Sequence, residues 1–86
     1  MITKIVEVRW IDTSFVADDL SMKDVDELKP LDMITFGALM KDDDASVTVS
    51  STVCVNDKGE GNEYRSTVVI PKANVRNVKE LGEVEV

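Results

Sequence analysis

Histidine is absent from this chain. Its absence removes the usual general base near neutral pH, the commonest metal ligand, and every Ser–His or Cys–His arrangement. There is a single cysteine, Cys54, so no disulfide can form within the chain, which fits a reducing compartment. Cys54 lies in an alternating stretch, with no helix N-terminus beside it to lower its pKa, and is expected to be inert. Aromatic residues are few: Trp10, Phe15, Phe36 and Tyr64. No apolar run approaches the ~20 residues that span a bilayer. The opening "MITKIVEVRW" alternates instead of forming the core of a signal peptide, which predicts a cytoplasmic protein without a membrane partner. Basic residues are also scarce, 10 against 17 acidic ones, for a formal charge of −7. Affinity for nucleic acid comes mainly from Lys and Arg neutralising phosphates, so this balance argues against nucleic-acid binding as the main activity.

What is present reads as a small β-domain spanning residues 1–86. A chain of 86 residues with 43% apolar content is normal for one globular unit and buries roughly 60% of its unfolded surface. "KIVEVRWID" alternates Val6, Val8 and Trp10 against Ile5, Glu7, Arg9 and Ile11, the period of a strand. Ser21 with Asp24 is a weak capping box, after which Met22, Val25 and Leu28 form one stripe and Pro30 ends the segment. This predicts a short helix over 22–29, too short to stand alone and so expected to dock on the sheet. "LDMITFGALMK" is partly apolar on both faces, as in a strand that bends to serve two packed sheets, with Gly37 at the bend. "KDDDA" is a turn and "NDKGEGN" a hairpin loop.

"SVTVSSTVCV" places Val47, Val49, Val53 and Val55 on one face, interrupted by Ser51 where the strand bends. Its other face carries Ser46, Thr48, Ser50, Thr52 and Cys54. The valines are expected to face the core and the hydroxyls to point outward. "EYRSTVVIP" is a fourth strand, a tight turn follows Pro71, and Val75, Val78 and Leu81 mark a fifth. "GEVEV" reads as an acidic tail that frays. The expected fold is all-β: a small, bent five-stranded barrel of the Sm-like kind, with one short helix inserted after the first strand. Closure of the sheet removes exposed edges.

Candidate chemistry is sparse. "DDD" at 42–44 and "DVDE" at 24–27 lack the alternating ligands, glycine and distal Glu of a calcium loop, and no cofactor or metal is expected. "GEG" at 59–61 lacks the Lys-Ser/Thr and helix start of a phosphate loop. With no activated nucleophile and no metal spacing, the chain is not expected to be an enzyme. Tyr64, Arg65, Lys72 and Arg76 come from the last two strands and their connection, and are the candidates for holding an anion such as a nucleotide. The alternative is that these cations neutralise nearby carboxylates. The face carrying Thr48, Ser50 and Thr52 has no charge or bulk to guard it, which makes it the candidate contact between copies in a homo-oligomer.

Four stretches, "VRWID", "DELKP", "TFGALMKDDDASVTV" and "VVIPKANVRNVKEL", together resemble a group of short phage and prophage proteins of unassigned function. The resemblance covers most of the chain. It implies an accessory protein acting by binding in the host cytoplasm. Counter-defence is the expected role, either occluding a host immune protein or sequestering a nucleotide signal. A structural or assembly role in the phage particle is the alternative.

Overall fold

The structure is a computed structural model and describes residues 1–55 and 61–86. The strands are β1 (Ile2–Asp12), β2 (Leu31–Asp42), β3 (Ser46–Cys54), β4 (Glu63–Pro71) and β5 (Val75–Glu85). One helix, α1 (Met22–Glu27), lies between β1 and β2, and a 3-10 turn (Lys72–Asn74) joins β4 to β5. The strands form one antiparallel sheet in the order β4-β3-β2-β1-β5. The mainly β architecture with one short inserted helix therefore agrees with the alternation in the sequence. The sheet does not close into a barrel: β4 and β5 are its two edges and are not paired with each other.

The sheet is sharply bent, and β2 serves both halves. Its first part, Leu31 to Ala38, pairs with β1; its last part, Ala38 to Asp42, pairs with β3. The change of partner falls at Gly37. A Cβ there would lie 2.4 Å from the Ser50 carbonyl oxygen and 2.9 Å from Val49 Cγ1, at a φ of +156°. Only glycine lets the two backbones come this close. The bend brings the inner face of β1 onto that of β3 and β4. Val6, Val8, Val47, Val49 and Ile70 are fully buried there, with Trp10, Leu39, Val68, Val75 and Val78 packed around them. Burying a side chain of this size contributes roughly 1.5–3 kcal/mol. Trp10 is thus part of the core margin, and its indole N–H donates to Thr35 Oγ1 at 2.9 Å.

The 3-10 turn ties the two halves together. Pro71 is paired with Ser46, whereas Val75 is paired with Trp10. Three residues bridge those points. Lys72 N–H donates to the Ala45 carbonyl at 3.0 Å, the Asn74 side chain to the Ile11 carbonyl at 2.9 Å, and the Lys72 ammonium pairs with Asp42.

Four expectations change. The helix has the predicted capping box, Ser21 accepting from Asp24 N–H and Asp24 from Ser21 N–H, yet it buries no residue and does not dock on the sheet. The capping signal is local and survives without a tertiary partner. "GEVEV" does not fray; Gly82 to Glu85 continue the β5 ladder against Ile5 to Ile2. Val47 and Val49 are buried as expected, but Val53 is half-buried and Val55 is exposed, because both lie beyond the reach of β2. Ser50 does not point into water. It is buried, with its hydroxyl 2.5 Å from Thr67 Oγ1. The loop expected over 56–62, and with it most of "GEG", falls at 56–60 outside the described residues.

The molecule is long for its size. Its radius of gyration is 16.9 Å and its extents are 58 × 23 × 20 Å; a compact chain of this length has a radius of about 12 Å.

Candidate functional site

Beyond Ser50 the hairpin of β3 and β4 leaves the sheet. β3 is paired with β2 only from Val47 to Ser50, so Ser51 to Cys54 have β4 on one side and an open edge on the other. The departure coincides with a break in the β3–β4 pairing, where Ser66 takes a φ of +54° and Ser51 Oγ donates to the Ser66 carbonyl at 3.5 Å. A left-handed serine inside a strand is strained, and the β3–β4 register continues across it without a shift. Ser51, the interruption in the aliphatic face, lies opposite Ser66.

Tyr64 and Arg65 lie on this arm, opposite Val53 and Thr52 respectively. Tyr64 is half-buried and Arg65 exposed. Arg65 stands 3.9 Å from Glu63, both side chains largely in water, so that pairing is weak. Lys72 and Arg76 are elsewhere. Arg65 and Lys72 are seven positions apart along extended chain, about 23 Å. At that second location Lys72 is engaged by Asp42, whereas Arg76 has no ion pair among the described residues. The four candidates therefore form two separate groups and no single pocket. Of the hydroxyl row, Ser50 is buried, Thr48 half-buried and only Thr52 exposed.

The acidic run at 42–44 has structural partners. Asp42 holds Lys72. Asp43 Oδ1 accepts from the backbone N–H groups of Ala45 and Ser46 at 2.9 Å each, and Lys41 lies 3.1 Å from its other oxygen. The Ser46 and Ala45 N–H groups, then Lys41, favour the ionised form and hold this carboxyl below its ordinary value of 3.8. Among the described residues no three His, Cys, Asp or Glu side chains converge as metal ligands, and no helix is long and apolar enough to cross a membrane.

The largest departure from a self-contained domain lies between β1 and β2. Every residue from 13 to 30 is exposed. The excursion is closed at its base, where Ser14 Oγ donates to the Lys29 carbonyl at 2.9 Å. Above that closure Phe15 is 89% exposed and Met22 72%, with Val25 and Leu28 close to half exposed. Where the chain re-enters the sheet, Ile34 and Phe36 are also about half exposed, on the face of β2 turned away from the core. The sequence marks the Met22–Val25–Leu28 stripe by its spacing, but spacing does not say what covers it. The Ile34–Phe36 face was legible as one side of a two-sided strand.

The protein exposes 6353 Å² in total. A compact chain of its mass exposes about 5,000 Å². The surplus, roughly 1,300 Å², goes with the elongated shape of the chain. Comparison with known protein families, with curated proteins and with solved structures finds nothing that matches this chain.

Proposed function

We propose that this chain is a non-catalytic binding protein that works as a homo-oligomer. One observation carries the reading: nine large hydrophobic side chains between Phe15 and Phe36 are exposed. Soluble monomers rarely leave a large contiguous apolar surface uncovered. The resemblance to short phage and prophage proteins supports a phage accessory role in the host cytoplasm. Within that role the leading reading is counter-defence, by occluding a host immune protein or sequestering a nucleotide signal. The second reading is a structural or assembly factor of the particle, and the same exposed surface favours it, since assembly factors act by self-association. The strand order and the 3-10 turn between β4 and β5 are compatible with an Sm-like relationship in which the bent sheet is an open form of the small barrel.

The partner surface in this reading is the β3–β4 arm. It offers an open backbone edge at Ser51 to Cys54, the half-buried Tyr64 and the cation Arg65, a combination suited to an extended segment added as a further strand. A nucleotide phosphate would instead use Arg76, since Lys72 is engaged by Asp42.

The test is expression of the protein in a host carrying a defence system, alongside mass spectrometry of purified particles. Counter-defence predicts restored plaque formation, lost with Arg65→Glu or Arg76→Glu, and no protein in the particle. Recovery of the protein at fixed copy number in particles, without rescue, supports assembly. Turnover of a nucleotide, peptide or ester at protein concentrations far below substrate would overturn the non-catalytic reading.

A further inference from the structure

We propose that two copies join edge to edge through the β3–β4 arm, the free run 51–55 of each pairing antiparallel with the same run of the other. This pairing rests on the reading of the chain as a homo-oligomer with the arm as its partner surface. From Val47 to Ser50 one side of β3 is taken by β2; from Ser51 to Cys54 that side is free, while β4 covers the other. Backbone N–H and C=O groups along such a run pair with water or with an added strand.

The outer edges of the sheet are guarded and this one is not. β5 carries Arg76, Lys79, Glu80, Glu83 and Glu85, and its ladder with β1 shifts register twice. β4 carries Glu63 and Arg65, the left-handed Ser66 and, at its end, Pro71. The free side of β2 before Ala38 carries Asp32. Charge, proline and irregular backbone are the usual means by which an edge avoids pairing with another chain. Residues 45–55 have no charged side chain and no proline, and β3 keeps one register against β4 throughout.

A second copy is favoured as the added strand by charge and by symmetry. A formal charge of −7 drives copies apart over most of the surface, so they can meet where like charges do not face each other. Two identical antiparallel strands are related by one two-fold axis through their centre and need no second surface. An axis perpendicular to the sheet keeps each face on its own side, so the central residue faces its own copy. Ser50 is already paired with Ala38, which leaves 51–55 free and puts Val53 at the centre. Thr52 of one copy then faces Cys54 of the other. Directly paired residues share a face. Tyr64 is opposite Val53, so one face gains a row of Tyr64 and Val53 continued by Val53 and Tyr64 of the second copy. On the other face each row runs from Arg65 over Thr52 and Cys54 to Glu63 of the second copy, with opposite charges at its ends. The contact is short, at the small end of specific interfaces, and predicts a concentration-dependent dimer.

Sedimentation equilibrium reads the mass and cysteine trapping reads the register. The wild type should pass from the chain mass to twice that mass as concentration rises. Thr52→Lys, at an exposed position, should weaken the dimer by about tenfold or more with an unchanged far-ultraviolet spectrum. Two disulfides probe the register. Chains with Thr52→Cys and Cys54→Ser are mixed with tagged wild-type chains, and chains with Val53→Cys and Cys54→Ser are oxidised alone. Successive antiparallel pairs alternate between close and wide, so at least one of these two bonds should form between copies. A monomer mass at every concentration overturns the homo-oligomer reading and leaves the free edge to a strand of another protein. An oligomer that Thr52→Lys leaves unchanged, with neither disulfide, keeps that reading and overturns this pairing.

Discussion

The Asn74 side-chain amide donates to the Ile11 carbonyl oxygen at 2.9 Å, joining residues 63 apart in the chain. It fixes the 3-10 turn against β1, and so holds the two halves of the bent sheet together without a β4–β5 ladder. Asn74→Ala should cost about 1 kcal/mol, the usual net value of one such bond, and lower the melting midpoint by several degrees. An unchanged midpoint in calorimetry would mean that the bend is held by the core alone.

Gly37 should tolerate nothing larger. In Gly37→Ala the new methyl meets the Ser50 carbonyl oxygen, a backbone atom that no side-chain rotation can remove. The expected loss is ~2–3 kcal/mol, at the upper end of overpacking effects, read as a drop in the urea midpoint with an unchanged slope.

Ser66 should behave in the opposite sense. Its φ of +54° suits glycine, so Ser66→Gly relieves strain at the root of the arm. A gain of up to ~1 kcal/mol is expected, partly offset by the greater freedom of glycine in the unfolded chain. A clear loss of stability would show that the serine contributes through its side chain.

The Asp43 turn gives a pH dependence of definite sign. The folded carboxyl lies below its ordinary value of 3.8, so the unfolded state takes up this proton more readily. The stabilisation is therefore complete above 3.8 and declines as pH falls through the lower folded value. Asp43→Ala should melt below the wild type at neutral pH, with the gap narrowing in strong acid. Asp43→Asn, which keeps the turn acceptor but cannot titrate, should lose this pH dependence. Parallel melting curves for wild type and Asp43→Asn down to about pH 2 would contradict it.

Alternation alone located the strands, because side chains in extended chain point to opposite faces whatever lies beside them. It put Val47, Val49, Val53 and Val55 on the inner face, of which only Val47 and Val49 are buried, and placed bends at Gly37 and Ser51. The Ser21–Asp24 capping box was legible for the same reason: its bonds close within one turn of chain. Arg65 and Lys72, grouped from the sequence as one anion site, are held apart by most of the length of β4.

Which strands become neighbours was decided only in three dimensions. Ser50 has the parity of an outward residue, yet the close pass of Gly37 and the Thr67 hydroxyl bury it. "GEVEV" has the composition of a loose tail, yet β1 supplies it with a ladder. The stripe on α1 has the spacing of a docked helix, yet no residue of it is buried in the chain. Local periodicity records how a segment divides its surface into an apolar and a polar side. What each apolar side meets depends on contacts between residues distant in the chain.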